Sequence, residues 1–97
     1  MSSKQTAEIR PEIVGVFIRH LITMHRIASL ERKGEASLPE LRAKQKATEL
    51  LGQALKGLTD GEKSLVKTIS GVLGSGRIDL TDRNEYIAKK VMEMCIR

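Results

Sequence analysis

The sequence predicts a small all-α protein, a compact bundle of about four helices in which a long first helix is the central element. Signals for the start of a helix recur along the chain, and glycines follow the apolar runs that these signals introduce. No segment alternates β-branched and polar residues with the period of a strand. The first helix is also apolar over roughly two-thirds of its circumference, so we expect the other helices to surround it.

The first predicted helix begins at Pro11 and ends at about Lys33. A proline is tolerated at the first helical position because the N–H that it lacks would have no partner there. Gly34 then supplies the left-handed backbone conformation that ends many helices. The narrow polar stripe of this helix faces away from its apolar arc, so we expect no structural role for the basic residues on it.

Three capping boxes predict the starts of the remaining helices. In such a box a Ser, Thr or Asp accepts a hydrogen bond from the N–H three residues later, and a Glu there reaches back. Residues 37–40, 59–62 and 82–85 all fit this pattern. The second helix should cover about 38–56, and the third should end at 74–76. The apolar stripes expected in the core are Ala43, Ala47, Leu50, Leu51, Ala54, Leu55 and Leu58, then Leu65, Val66, Ile69, Val72 and Leu73, then Ile87, Val91, Met94 and Cys95.

Length and composition indicate one soluble domain. A chain of 97 residues is long enough for an ordinary core, and its charged residues, 30% of the total, are of mixed sign. We predict a flexible tail over 1–9 and a single helical domain over 10–97. The lone cysteine fits a reducing compartment, no secretory signal is evident, and the apolar stretch 13–22 is too short to span a bilayer. These features predict a cytoplasmic protein without a membrane partner.

No motif indicates catalysis, a metal or a cofactor. His20 and His25 are five residues apart, so on a helix they point about 140° away from each other and cannot share a metal as an i, i+4 pair can. No serine or threonine has an evident activating base beside it, and 74–76 lacks the residues of a phosphate loop. The sequence therefore predicts a protein that is not an enzyme, with no catalytic, metal or cofactor residue and no small-molecule substrate.

Two lines of basic residues leave nucleic-acid binding open. The net charge is +5, and bases spaced by seven residues line one face of the first helix and one face of the fourth. Such lines could neutralise phosphates, although charged outer faces are common on soluble helices and stacking aromatics are scarce. The candidate contacts for nucleic acid or an acidic partner are Arg19, Arg26 and Lys33, then Arg83, Lys90 and Arg97.

The wide apolar arc of the first helix favours a different function. If three short amphipathic helices cover only part of the arc, the remainder is a contact surface for another protein or a second copy. Val16, His20 and Ile27 lie on the flank that we expect to be least covered. The sequence thus favours a small helical regulator or adaptor that acts by protein–protein contact or as a homodimer. The alternative is a basic, DNA-binding regulatory protein.

Overall fold

The computed structural model describes residues 8–95, and over this range the chain forms four α-helices and no strand, as the sequence predicts. A single 3₁₀ turn, Leu55–Gly57, follows the second helix and is the reason that this helix ends earlier than expected. The helices are α1 (Pro11–Arg32), α2 (Leu38–Ala54), α3 (Asp60–Gly74) and α4 (Asn84–Cys95).

Helix α1 is the central element, which confirms the prediction. It packs against α2, α3 and α4, and Val14 and Ile22 on it are fully buried. With 22 residues and a mean hydropathy of 1.3 over its most apolar window, α1 also has the length and composition of a membrane-crossing helix. A helix at the centre of a bundle meets the same criteria, because it too is apolar around most of its surface.

The side-chain pairs that join the helices give their directions. The ammonium of Lys44 pairs with Glu31, near the end of α1, whereas Leu51 lies beside Phe17, near its start, so α2 runs antiparallel to α1. Arg10 contacts Glu62, and His25 contacts Ser70. Helix α3 therefore runs parallel to α1.

The first two predicted capping boxes are present. Glu40 N–H donates to Ser37 Oγ at 3.4 Å and Ser37 N–H donates to Glu40 Oε1 at 2.9 Å. The corresponding distances between Thr59 and Glu62 are 3.1 and 2.9 Å. Gly34 has the expected left-handed conformation, with φ of 72°. The sequence therefore specifies the starts of α2 and α3 and the end of α1 locally.

The third predicted box, at 82–85, is wrong. Helix α4 begins at Asn84, and the carbonyl that opens it belongs to Arg83, which accepts from Ile87 N–H at 3.0 Å. The carboxylate that organises this segment is Asp79, which accepts from both N–H (2.9 Å) and Oγ1 (2.6 Å) of Thr81. An aspartate that bonds two residues ahead makes a turn, and this turn replaces the expected helix cap.

The core combines residues of all four helices, but α2 contributes little to it. Only Ala47 and Leu51 of α2 are buried, and Leu58, which follows the helix, is buried as predicted. The prediction is wrong for the other four residues of the stripe: Ala43 and Ala54 are exposed, and Leu50 and Leu55 are 42% and 39% exposed. Only α1 packs closely on α2, so half of the apolar stripe has nothing to cover it. The buried cluster consists of Val14, Phe17, Ile18, Leu21, Ile22, Leu51, Leu58, Leu65, Val66, Ile69, Leu73, Ile78, Ile87 and Val91.

An ion pair joins the start of α1 to the start of α3. The side chain of Glu62 is fully buried, and it accepts from the N–H, Nε and Nη2 of Arg10 at 2.9, 2.8 and 2.7 Å. Arg10 also donates to the carbonyl of Gly57, and Thr59 Oγ1 donates to the carbonyl of Glu8. The end of the expected tail is thus held against α3, while 1–7 lie outside the described residues.

Candidate functional site

An apolar cleft lies between α2 and α3, with α1 as its floor. It exists because α2 and α3 both pack on α1 but have no extended contact with each other. Its volume is about 430 Å³, within the range typical of binding clefts. Its lining residues come from three helices and one turn: Phe17, Leu21 and Met24 of α1; Thr48, Leu51 and Gly52 of α2; Leu55 of the turn after α2; and Val66, Lys67 and Ser70 of α3.

The spacing of the lining residues follows from helix geometry. Phe17, Leu21 and Met24 are four and three residues apart, which places them on one side of α1 over about 10 Å. Gly52 has no side chain, and a Cβ added there would meet no atom within 4 Å. No side chain projects from α2 at this position, so the cleft is open to solvent beside Leu55.

Three polar side chains line the cleft, and two of them are already hydrogen-bonded. Thr48 Oγ1 donates to the carbonyl of Lys44 at 2.8 Å, one turn back on its own helix. Ser70 Oγ lies 3.0 Å from His25 Nε2. The third, Lys67, is exposed, and among residues 8–95 no carboxylate lies within 4 Å of its ammonium group.

The His25–Ser70 pair was not predicted from the sequence. Burial, followed by the positive charge of Arg32, lowers the pKa of His25, so the imidazole is neutral at neutral pH. The ring lies over Gly74, where an added Cβ would be 3.3 Å from His25 Cε1. The two residues are 45 positions apart, and no local pattern relates them.

Ser70 lies on α3, at one end of the cleft, and is bonded to His25. The residue lies within α3, where the backbone N–H groups are used by the helix. The hydrogen bond satisfies two partly buried polar groups at the end of the cleft.

Arg10 is the main cause of a large decrease in the pKa of Glu62. Its hydrogen bonds to the carboxylate, opposed by burial and aided by Thr59 N–H, lower the pKa of Glu62 to about 2. The carboxylate is therefore charged at neutral pH although its side chain is fully buried. All of its partners belong to the protein, which makes the pair a structural element.

The three residues predicted to form a protein interface differ in their exposure to solvent. Val16 is 52% exposed, His20 is half-buried, and Ile27 is only 5% exposed. Ile27 is part of the interior and is not available on an exposed flank. None of the three lines the apolar cleft.

The basic line on α1 is partly used inside the molecule. Arg26 Nε donates to the carbonyl of Leu80 at 2.7 Å, and its Nη2 donates to the carbonyl of Asp82 at 2.9 Å. Arg26 therefore holds the segment between α3 and α4, contrary to the expectation that the stripe has no structural role. Arg19 is exposed beside α4, with Glu85 lining the same groove.

Lys33 and the basic residues of α4 are exposed but lie among acids. The hydroxyl and N–H of Thr81 lower the pKa of Asp79, and Lys33 contributes to this effect by its charge. The ammonium of Lys90 lies 5.9 Å from the centre of the Tyr86 ring.

Lys90 of α4 and Arg83, which directly precedes α4, also share their depressions with carboxylates. Glu93 lies in the depression that Lys90 lines, and Glu85 lies in that of Arg83. Arg97 lies outside the described residues.

No group of three or more His, Cys, Asp or Glu side chains over residues 8–95 could hold a metal ion. No protein-family model matches the chain, and the searches for similar curated proteins and similar solved structures found no match.

Proposed function

We propose that this protein is a small, non-enzymatic helical regulator or adaptor that acts by protein–protein contact, and that its partner binds in the cleft between α2 and α3. The observation that carries the proposal is the apolar lining of an open cleft. Binding clefts are typically lined mostly by apolar side chains with a few polar groups, and the lining of this cleft has that composition.

The shape of the cleft suits the apolar face of a helix. Its two walls are helices, and its floor presents side chains at helical spacing over about two turns of α1. Amphipathic helices bind in such grooves through anchors at i, i+3, i+4 and i+7. Each partner leucine that becomes fully buried there contributes about 1.5–3 kcal/mol before the costs of association.

The polar groups of the cleft support binding more than chemistry. Ser70 and Thr48 are bonded to neighbouring groups of the protein, and His25 reaches the cleft only through Ser70. Met24 adds a flexible side chain that can adapt to different partner side chains.

The alternative, a DNA-binding regulator that uses the Arg19, Arg26 and Lys33 line, has weaker support. The guanidinium of Arg26 is bonded to two backbone carbonyls, and Glu85 lies beside Arg19. Fewer free bases leave fewer phosphate contacts, so we expect weak, salt-sensitive binding to random duplex DNA.

Two leucines, Leu50 on α2 and Leu55 directly after it, offer a matched test. Leu55 lines the cleft and is 39% exposed, whereas Leu50 is 42% exposed and lies outside the lining. The probe is a fluorescently labelled designed helix of about 18 residues with leucines at i, i+3, i+4 and i+7, long enough to be helical. We expect it to bind the native protein, Leu55→Lys to weaken binding at least tenfold, about 1.4 kcal/mol, and Leu50→Lys to leave binding unchanged.

Binding that responds equally to both substitutions would place the contact elsewhere on α2. Light scattering across a range of protein concentrations tests the homodimer separately. A dimer that Leu55→Lys dissociates would make a second copy the occupant of the cleft. A strict monomer that binds no helical peptide would overturn the proposal.

A further inference from the structure

We infer that the cleft selects an amphipathic helix whose apolar face is flanked by acidic residues. This inference rests on the proposed function and names the chemistry of the partner. The observation behind it is that an exposed lysine, Lys67, lies in an otherwise nearly apolar lining and has no carboxylate partner among residues 8–95.

The α3 wall of the cleft has one sign of charge. Between Lys63 and Gly74 the sequence contains two lysines and no acid, and Lys63 lies one turn before Lys67 on the same side of α3. The carboxylate of Glu62, just before this segment, is fully buried and bonded to Arg10. The other acid of α3, Asp60, is exposed in the first turn, seven residues or about 10 Å of helix before Lys67, and it forms no salt bridge with Lys67.

The α2 wall does not supply a negative charge to neutralise Lys67 either. Its nearest acid along the chain, Glu49, lines a neighbouring depression that shares Thr48 with the cleft and also contains Glu31 and Lys44. Glu49 forms no salt bridge with Lys67. Lys44 is already paired with Glu31. The lining residues on this side of the cleft are all uncharged: Thr48, Leu51 and Gly52 of α2, and Leu55 directly after it.

Docking of a helix against these walls would remove part of the water around Lys67. The loss of hydration costs free energy unless a negative charge on the partner replaces the water. A Glu or Asp beside the apolar face of the partner supplies that charge, whereas a lysine there is repelled. The cleft thus binds the apolar face of the partner helix, and the charge of Lys67 favours acidic residues beside that face.

Two designed helical peptides of about 18 residues test this, since shorter ones are only marginally helical. They share one set of leucines and differ only in their flanks, glutamate in one and lysine in the other. At low salt we expect the glutamate peptide to bind the native protein about two- to fivefold more tightly, the range for one exposed ion pair. Raising the salt concentration should reduce this ratio, because exposed charges are screened.

Lys67→Glu should reverse the preference between the two peptides. Lys46→Glu is the matched control, because it makes the same change of charge at an exposed position of α2 outside the lining. We expect the control to keep the native preference. The melting temperatures of both variants should stay close to the native value, because both side chains are exposed.

The outcomes separate the two proposals. Failure of both peptides to bind would overturn the proposed function and this inference with it. Equal binding of the two peptides, abolished by Leu55→Lys, would retain the cleft as the binding site and overturn the selection of acidic flanks. A reversal of preference by Lys46→Glu as large as that by Lys67→Glu would show that only net charge matters, and would also overturn the inference.

Discussion

Helices α2 and α3 begin alike but have different roles in the structure. Both start with a complete capping box, and they have similar lengths, 17 and 15 residues. Yet α3 buries five side chains and α2 only two. Local signals therefore decide where a helix forms, whereas the number of neighbouring helices decides how much of its apolar stripe is buried.

The neighbours of the two helices account for the difference. Helix α3 packs against α1 and α4, and its first turn is also bonded to Arg10. Helix α2 packs closely on α1 alone. The stability of the molecule should therefore depend strongly on α3 and weakly on the outer side of α2.

The largest effect should come from truncating buried side chains on the α1–α3 side. Ile69 is fully buried, and Phe17 is 3% exposed. We expect Ile69→Ala and Phe17→Ala each to lower the free energy of unfolding by about 3 kcal/mol, measured by urea denaturation. Leu50→Ala, the control on α2, should change it by less than about 0.5 kcal/mol. Similar losses from all three would mean that α2 is as well packed as α3.

The next effect concerns the Arg10–Glu62 pair and its dependence on pH. Because the pKa of Glu62 falls from an ordinary 4.5 to about 2, the pair stabilises the fold fully above pH 4.5 and loses this contribution as the pH falls towards 2. Arg10→Gln leaves a buried carboxylate without its cation. We expect a melting temperature several degrees below the native one at pH 7, with the two proteins converging near pH 2.

The exposed pair between Lys44 and Glu31 is the control for this experiment. Their side chains are 34% and 37% exposed, so water screens the interaction. Lys44→Gln should leave the melting temperature nearly unchanged at every pH. A constant difference between the native protein and Arg10→Gln down to pH 2 would contradict the assignment of the effect to Glu62.

Hydrogen exchange should distinguish the two helices directly. Only two side chains of α2 are buried, against five of α3, so the amides of α2 should exchange through local opening at least tenfold faster than those in the centre of α3, about 1.4 kcal/mol in opening free energy. The measurement is native-state exchange followed by mass spectrometry or NMR. Equal protection of Leu51 and Ile69 would show that α2 opens only when the whole molecule unfolds.

The smallest effect should come from two glycines on α3. A Cβ at Gly71 would meet nothing within 4 Å, whereas one at Gly74 would be 3.3 Å from His25 Cε1. Alanine within a helix is favoured over glycine by about 0.5–1 kcal/mol. We expect Gly71→Ala to raise the melting temperature and Gly74→Ala to raise it less or lower it, because His25 must shift.

Much of the fold could be predicted because its signals are local. The boxes at Ser37 and Thr59 need only four residues each, and the apolar breadth of α1 is visible on a helical wheel. The box at Asp82 failed because Asp79, three residues earlier, bonds to Thr81 and makes a turn first. The capping box at 82–85 and the turn formed by Asp79 and Thr81 are both local signals, and the sequence did not show which of the two would form.

The candidate site could not be predicted in the same way. The cleft depends on α2 and α3 diverging on either side of α1, and no pattern within either helix reports that distance. Ser70 and His25 are likewise related only through the fold. The basic line on α1 was visible in the sequence, but the use of Arg26 as a donor to Leu80 and Asp82 depends on a distant segment.

The position of α2 in the chain also matters for the order in which the molecule assembles. Its contacts with α1 span short loops, such as the 13 residues between Glu31 and Lys44, whereas Arg10 and Glu62 are 52 residues apart. Local contacts form sooner because less loop entropy is lost. During synthesis α2 would be the first helix to cover α1, before α3 and α4 emerge from the ribosome. The helix that contributes least to the finished core would then shield nascent α1 from aggregation, and Leu51→Ala should slow refolding in stopped-flow experiments.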